Sequence, residues 1–397
     1  MIFNQSQAHL LDEAEKWWRS DDQVFQYSGS PGTGKTTVML EMIRRFNVNP
    51  ARIAPMAFVG AAAINMRMKG MTSARTIHSW LYECIEKPII ENGKPKMDPY
   101  FNVPLMQRIF VTRDLDDIDL FVIDEAGTVP YNMLHDILSR GKKVIAAGDI
   151  DQLEPVGDRP AFLVDGKIHV LNQIMRQAEG SAIVYLCQRA KAGLPIHCGF
   201  YGDVWVIQKH ELTPAMMLNA GVILCGKNTT RDWVNKTVRQ DLLGINSKFP
   251  VQGDKLICRK NNWTLDVGGI NLTNGLTGYV VNPVGVSSYN GKTFEIDFQP
   301  FLINDVFPQV EVDYNYFMAD YKQRKFLKEN NYLKGNCFEY GYGQTVHTAQ
   351  GSQWSHGIYL EEYLHKDMNA RLNYTALSRF QQQCIYVKED SKYYGGM

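Results

Sequence analysis

The chain has 397 residues, a formal net charge of zero and 45% hydrophobic residues, so we expect two or three domains, each with its own buried core. No stretch comes near the roughly 18 consecutive apolar residues of a membrane span, and the first residues lack the basic and apolar regions of a secretory signal. We therefore expect a cytoplasmic protein with no membrane segment. The seven cysteines form no CxxC pair, which favours reduced, mostly buried thiols over a metal site.

Strand-like and helix-like segments alternate through the first half of the chain. A strand is predicted at 24–27, followed by a glycine-rich turn and a helix from about 36 to 46. Continuous apolar runs at 120–123 and 144–147 are typical of strands that are buried on both faces of a sheet. This alternation predicts an α/β fold with a parallel sheet flanked by helices.

A similar pattern returns late in the chain. Apolar runs at 222–225, 357–360 and 384–387 predict further buried strands. From about 250 to 335 the pattern changes to short alternating segments among Gly, Asn and Pro residues, such as 293–298. The sequence therefore predicts a second α/β domain into which a small antiparallel barrel is inserted.

A phosphate-binding motif lies between the first predicted strand and helix. Residues 29–36 fit GxxxxGK[ST], and the backbone N–H groups of such a loop hold phosphates. Lys35 would neutralise the β- and γ-phosphates, and Thr36 would hold Mg²⁺ through its hydroxyl. An ordinary glycine-rich turn is the alternative, which the strand–loop–helix context disfavours. The predicted ATP-binding residues of this segment are Gly29, Ser30, Pro31, Gly32, Thr33, Gly34, Lys35, Thr36 and Thr37.

Two carboxylates follow the run at 120–123, at the carboxyl end of a predicted strand, where α/β proteins bind ligands. Asp124 is positioned to bind Mg²⁺, and Glu125 to orient and deprotonate an attacking water. Gln152 follows the next strand and could reach the γ-phosphate or that water. A solvated turn is the alternative for the acidic pair, and a helix cap formed by Asp149 is the alternative for the segment around Gln152.

Taken in chain order, these motifs resemble those of the superfamily 1 helicases, in particular the RecD-like and phage Dda-like branch. Besides the phosphate loop and the acidic pair, the resemblance is carried by FNQSQ at 3–7, TIH at 76–78, MRQ at 175–177, NGLTG at 274–278, TVHTAQGSQ at 345–353 and YTALSR at 374–379. It covers almost the whole chain.

The resemblance implies two RecA-like P-loop domains, with a small β-hairpin insertion in the first and an SH3-like β-barrel insertion in the second. It implies domain 1A at 1–175, with the hairpin insertion 1B at about 82–112. Domain 2A would comprise 176–250 and 336–397, and insertion 2B would comprise 251–335. Within the hairpin, the Asn-Gly pair at 92–93 is a strong signal for a two-residue turn, and similar helicases carry a duplex-splitting pin here. A plain surface hairpin is the alternative.

The resemblance also assigns roles to individual residues. Gln7 would recognise adenine, and Gln353 would hydrogen-bond the ribose. Arg176 and Arg379 would reach the nucleotide from the junction and from the second domain as catalytic arginines, beside Lys35, Glu125 and Gln152. The single strand would be held by Phe58, Thr76, His78, Thr345 and His347.

The sequence departs from the family pattern at several positions. Phe58-Val59-Gly60 stands where Pro-Thr-Gly is common, and Ala126 stands where a serine is usual. His347-Thr348-Ala349 stands where the family usually has His-Lys-Ser, which removes one cation. Gln353 stands where a glutamate is frequent, although a neutral amide can still hydrogen-bond a ribose.

The expected function is that of an ATP-dependent DNA helicase, with Mg²⁺ as cofactor, that translocates 5′ to 3′ on single-stranded DNA. It would unwind forked DNA in replication or recombination, for example in a phage. We expect a monomer that works with replication proteins or single-strand-binding proteins. A viral RNA helicase of the same superfamily stays open as an alternative, although TIH and NGLTG favour the DNA branch. A P-loop ATPase that binds nucleic acid without unwinding also stays open, whereas a P-loop kinase would need an acceptor site and a lid.

Overall fold

The computed structural model of the protein describes residues 3–91, 93–97, 103–155, 157–174, 180–282, 291–301, 303–330 and 332–389, without the side chains of residues 106, 108, 366 and 367. Up to residue 171 its helices and strands are α1 (Gln5–Trp18), β1 (Val24–Gly29), α2 (Lys35–Phe46), β2 (Ile53–Ala57), α3 (Gly60–Met68), β3 (Arg75–Thr76), α4 (Ile77–Leu81), β4 (Tyr82–Pro88), β5 (Ile90–Glu91), β6 (Lys94–Pro95), β7 (Met106–Thr112), β8 (Leu120–Asp124), α5 (Leu134–Leu138), β9 (Lys143–Gly148) and β10 (Ile168–Leu171).

The second half continues with α6 (Ala182–Lys191), β11 (Gly199–Tyr201), β12 (Val204–Gln208), α7 (Pro214–Asn219), β13 (Ile223–Cys225), α8 (Asn228–Lys236), β14 (Lys255–Cys258), β15 (Asn262–Val267), β16 (Ile270–Leu272), β17 (Thr277–Val280), β18 (Thr293–Pro300), β19 (Phe307–Asp313), α9 (Tyr314–Met318), α10 (Tyr321–Glu329), β20 (Phe338–Tyr340), β21 (Gly343–Thr345), β22 (Trp354–Leu360), α11 (Lys366–Leu377) and β23 (Phe380–Lys388). Short 3₁₀ turns lie at Pro50–Arg52, Ala126–Thr128, Tyr131–Met133 and Lys209–Glu211, and a π-helical turn lies at Thr237–Leu242.

The first sheet has six parallel strands in the order β10-β1-β9-β8-β2-β3. Side chains alternate between its faces, so Leu120 and Val122 of β8 enter a core shared with α1 and α2. Phe121 and Ile123 enter a second core on the other face. Because both faces of the sheet are covered, every residue of β8 that faces a core is apolar. The predicted parallel sheet is confirmed.

The second sheet has the order β11-β12-β23-β22-β13-β21, and all of its pairings are parallel except the one between β11 and β12. Helices α6 and α11 pack against it around Leu186, Leu372 and Tyr386. The two sheets therefore repeat one mixed α/β plan within one chain.

A five-stranded antiparallel sheet, β19-β18-β17-β14-β20, lies in the chain between β13 and β21 of the second sheet. Its core contains Phe294, Phe298 and Phe338. A two-stranded hairpin formed by β15 and β16 extends from the connection between β14 and β17. This hairpin contacts the first half of the chain, since Arg67 donates hydrogen bonds to the carbonyl oxygens of Gly268 at 2.7 Å and Gly269 at 2.6 Å.

An antiparallel ribbon formed by β4 and β7 follows α4, and its register runs from the pair Tyr82 and Thr112 to the pair Pro88 and Met106. The shorter pair β5 and β6 extends it, with Glu91 opposite Lys94. Gly93 in the intervening turn has φ of 76°, the left-handed region that a tight hairpin turn requires. Over the part of the chain that the structure describes, no helix has the length and apolarity needed to cross a membrane.

Candidate functional site

The glycine-rich loop joins the end of β1 to the start of α2. Gly32 and Gly34 have φ values of 82° and 80°, which glycine adopts without the steric cost of a side chain. The Thr33 hydroxyl donates to the Ser30 carbonyl oxygen at 2.8 Å. The Lys35 ammonium donates to the Gly29 carbonyl oxygen at 2.5 Å. The loop is therefore a tight turn that carries its lysine at the N-terminus of a helix, where phosphate is favoured.

Gln7 is buried and connects α1 to this loop. Its amide nitrogen donates to the Thr33 carbonyl oxygen at 3.0 Å, and its amide oxygen accepts from the Asn4 N–H at 3.2 Å. Asn4 in turn caps the helix by accepting from the Gln7 N–H at 2.9 Å. The structure thus gives Gln7 a role in holding the phosphate loop, and its contact with adenine stays a prediction.

The two predicted carboxylates lie at the end of β8, close to Lys35. Burial raises the pKa of Asp124 above its ordinary value, and the neighbouring charge of Glu125 raises it further. Burial also acts to raise the pKa of Glu125, but the positive charges of Arg379 and Lys35 outweigh it and leave that pKa below its ordinary value. Glu125 is therefore ionised at neutral pH, as a general base must be.

Arg379 follows α11 in the second half of the chain and reaches this carboxylate. Its Nη1 atom lies 3.4 Å from Glu125 Oε1, and its side chain is only 2% exposed. Its Nε and Nη2 atoms donate to the Ser378 hydroxyl at 3.3 and 3.0 Å. Two residues that are 254 positions apart are thus brought into one charged pair between the two halves of the chain.

Further hydrogen bonds join the two halves near Gln152. The Leu153 N–H donates to the Thr375 hydroxyl at 3.0 Å, and the Tyr374 hydroxyl donates to Asp149. Asp149 also caps the turn after β9 by accepting from the Asp151 N–H at 3.1 Å.

The amide nitrogen of Gln152 donates weakly to Asp149 at 3.4 Å. Its buried Oε1 atom accepts no hydrogen bond from any residue that the structure describes. The amide is therefore free to accept a hydrogen bond from a ligand that enters this cleft.

Lys69, which follows α3, also reaches the site, although no sequence pattern predicts this. Its ammonium donates to the Thr36 hydroxyl at 3.2 Å, and its charge acts to lower the pKa of Asp124 and Glu125. Lys69 is exposed, and no motif marks it.

Of three further predicted nucleotide residues, one lies elsewhere, one lies at the loop and one lies outside the described chain. Gln353 accepts a hydrogen bond from the Gln381 amide at 2.9 Å, a contact within the second half of the chain. Thr37 lies in the first turn of α2 beside Thr36. Arg176 lies outside the described residues.

Four of the five predicted strand-binding residues line one cleft of about 350 Å³. They are Phe58, Thr76, His78 and His347. The fifth, Thr345, is buried, and its hydroxyl hydrogen-bonds the Thr348 hydroxyl at 2.9 Å. Thr348 itself lines the cleft. The cleft therefore receives side chains from both halves of the chain.

A row of rings crosses this cleft. The ring of Phe58 lies 6.1 Å from that of His78, and His78 stacks on Trp263 at 5.4 Å with an interplanar angle of 25°. Phe110 of β7 meets Trp263 edge-on at 6.3 Å. Trp263 belongs to β15, and it was not predicted as a site residue because its only signal is an aromatic residue in a polar segment. Burial lowers the pKa of His78, and also that of His347, below the ordinary value of 6.5.

Known proteins share the family and the fold of this chain. A family model described as AAA domain matches residues 3–210. A probable conjugal transfer protein TraA of Sinorhizobium fredii is 23% identical over 91% of this chain, and the chain spans only 30% of that relative's length.

Two solved structures share the fold at 16% identity, and each match covers 97% of this chain and 92% of theirs. One shows DNA unwinding at forked double-stranded DNA by two coordinating Pif1 helicases, with a TM-score of 0.56. The other is Pif1 helicase from Bacteroides in complex with ADP-AlF3 and single-stranded DNA, with a TM-score of 0.53. The predicted resemblance to superfamily 1 helicases is confirmed.

Proposed function

The chain belongs to the family described as AAA domain, and from this premise we propose that it is an ATP-dependent DNA helicase of superfamily 1. The observation that carries the proposal is the contact between Arg379 and Glu125. It joins an arginine from one half of the chain to the candidate general base of the other, within reach of the phosphate loop. Such a pair makes hydrolysis depend on how the two halves approach each other.

The residues of the loop suit ATP and Mg²⁺. The left-handed glycines leave the backbone N–H groups clear of side chains, and Lys35 supplies the cation for the β- and γ-phosphates. The Thr36 hydroxyl and the Asp124 carboxylate supply oxygen ligands of the kind that Mg²⁺ prefers. When bound, Mg²⁺ would neutralise charge on the phosphates. The proposed adenine and ribose contacts are those of Gln7 and Gln353.

We assign the proton transfer to Glu125. Its ionised carboxylate accepts the proton of the water that attacks the γ-phosphate, and the Gln152 amide orients that water through its free Oε1 atom. Arg379 then turns from Glu125 to the charge that grows on the transferring phosphoryl group. Arg176 is proposed as a second arginine of this kind, from the resemblance alone.

The cleft that contains Phe58, His78 and Trp263 is the proposed path of the single strand. Aromatic rings stack on bases without regard to sequence, and the hydroxyl groups of Thr76 and Thr348 suit the sugar-phosphate chain. Because this cleft receives side chains from both halves of the chain, a change in the distance between the halves on hydrolysis would move the contacts along the strand. Thr345 and His347 would act from the second half.

The remaining assignments rest on family likeness. They include the domain limits, which are 1–175 for domain 1A, 176–250 and 336–397 for domain 2A, and 251–335 for insertion 2B. They also include the SH3-like character of the inserted sheet and translocation from 5′ to 3′. They also include a role in replication or recombination, a phage origin, a cytoplasmic location, a monomeric state, and replication or single-strand-binding partners. The ribbon of β4 and β7 is proposed as the pin that separates the strands.

An unwinding assay on forked duplexes tests the proposal. The chain should unwind a labelled duplex in the presence of ATP and Mg²⁺ when the fork carries a 5′ single-stranded tail, and Lys35→Ala should not. Unwinding only from a 3′ tail would overturn the polarity. ATP hydrolysis without any unwinding would favour the P-loop ATPase alternative, and stronger stimulation by RNA would favour the RNA helicase alternative.

A further inference from the structure

The cleft that would receive the single strand carries very little fixed charge. Among the described residues that line it, only Arg259 has a charge that persists at every working pH, and none is acidic. His78 and His347 add little positive charge at pH 7, because burial lowers the pKa of each below its ordinary value. A polyanion in this cleft would therefore meet one permanent cation among aromatic rings and hydroxyl groups.

Arg259 follows β14 of the inserted sheet and is held in place from three sides. Its N–H donates to the Cys337 carbonyl oxygen at 2.8 Å. Its Nη1 atom donates to the Thr348 hydroxyl at 3.2 Å, and its Nε atom lies 3.4 Å from Glu339 Oε1. Its Nη2 atom makes no hydrogen bond with any residue that the structure describes. The guanidinium is thus ordered, with donors left for a ligand, so that binding would cost little further side-chain entropy.

Glu339, which holds Arg259, belongs to a buried charge cluster. Its carboxylate is 4% exposed and also lies 3.2 Å from Arg231 and 3.6 Å from Arg324. Asp232 pairs with the same two arginines, at 2.7 and 3.8 Å. Three guanidinium groups therefore share two carboxylates, and Arg259 is the one of the three that Asp232 does not contact within the described residues. The cluster thus has one more guanidinium than carboxylate, and Arg259 is its member that lines the cleft.

We propose that Arg259 binds a phosphate group of the single strand and that Glu339 fixes its guanidinium for that contact. The bonding partner Thr348 contributes a hydroxyl and no charge, so the cation at this point of the cleft comes from the inserted sheet. The inference rests on the proposed function, since it concerns how the same cleft holds its strand.

The test is the salt dependence of binding to a fluorescent oligothymidylate, measured by anisotropy on the full chain. Each phosphate that a protein neutralises on a single strand contributes about 0.7 to the slope of log K against log salt concentration. Arg259→Gln should therefore bind more weakly at low salt and lose about 0.7 from this slope. Arg189→Gln is the matched control, because it removes the same charge from α6, where the guanidinium bonds to the Pro195 carbonyl oxygen.

A second variant keeps the inference testable if Arg259→Gln does not fold. Arg259→Lys retains the charge that balances Glu339 and should keep the parental slope. It should still lose about tenfold in affinity, because a single ammonium does not replace the planar fork that bonds Thr348 and phosphate together.

Six outcomes are distinct. A lower slope for Arg259→Gln but not for Arg189→Gln supports the proposal, as does the loss of affinity in Arg259→Lys. A parental slope in Arg259→Gln, an equal loss in both glutamine variants, or parental affinity in Arg259→Lys would overturn it. If the parent protein bound no oligothymidylate at all, the proposed function itself would fail instead.

Discussion

Removing Arg379 should slow ATP hydrolysis far more than it weakens ATP binding. Two unit charges 3.4 Å apart attract by roughly 5 kcal/mol at an effective dielectric constant of about 20. Arginines supplied across a cleft to other phosphoryl-transfer sites accelerate the reaction by about 10³–10⁵, equivalent to ~4–7 kcal/mol. The attraction to Glu125 acts in the ground state, whereas the acceleration comes from contact with the transferring phosphoryl group, so the second figure sets the expected loss. Arg379→Ala should lower kcat by at least about 10³. Arg379→Lys retains the charge and should lose less.

The assay is steady-state hydrolysis with saturating single-stranded DNA, beside a direct measurement of nucleotide affinity. Because Arg379 lowers the pKa of Glu125, its removal should raise that pKa and move the acid limb of the pH–rate profile to higher pH. Thermal unfolding of both variants is the control for stability, because the alanine leaves the half-buried Glu125 carboxylate without its partner. Equal losses in affinity and kcat, or an unmoved acid limb, would refute the assigned role.

Four further predictions concern other parts of the protein. Lys35→Ala should abolish ATP hydrolysis but leave single-strand binding largely intact by anisotropy, and near-normal turnover would remove the phosphate-loop assignment. Glu125→Gln should bind ATP and Mg²⁺ yet lose most turnover, since a carboxamide accepts no proton; failure to bind nucleotide would make it a metal ligand. Replacing residues 89–96 by a short glycine-containing turn should spare DNA-stimulated hydrolysis and translocation but sharply reduce unwinding, whereas parental unwinding would move the wedge to the inserted sheet. His78 is half-buried, and its pKa lies below the ordinary value of 6.5, so the unfolded chain binds a proton more readily, and the free energy of unfolding decreases as the pH is lowered below 6.5. When chemical denaturation is measured at pH 7 and at pH 5, the free energy of unfolding of His78→Asn should decrease less between the two pH values than that of the parent protein. An equal decrease would contradict the assignment.

Local patterns with a strict structural context were predictable from the sequence. The phosphate loop needs its glycines, lysine and threonine at fixed spacing between a strand and a helix, and the structure has α2 begin at Lys35. The run at 120–123 became β8 because a strand buried on both faces must be apolar at every position. Boundaries were less certain: the strand predicted at 222–225 is observed at Ile223–Cys225, since a run of apolar residues does not fix where pairing ends.

Residues brought to the site by the tertiary fold were not predictable. Trp263 stacks on His78 across 185 positions of sequence, and Arg259 reaches Thr348 across 89. Trp263 lies in the hairpin of β15 and β16, which meets the first half of the chain, and Arg259 lies at the end of β14, which meets the second half. Lys69 reaches Thr36 only because α3 ends beside the loop. Spacing within a motif carries no information about such contacts.

The rate of ATP hydrolysis with and without single-stranded nucleic acid tests the central proposal most directly. Single-stranded DNA and RNA of equal length and matched sequence should be compared at saturating ATP and Mg²⁺, with Lys35→Ala as the inactive control. We predict a large stimulation by DNA, a smaller one by RNA and none in the variant. A rate that does not change when DNA is added would contradict a motor whose ATP site and strand cleft are built from the same two halves of the chain.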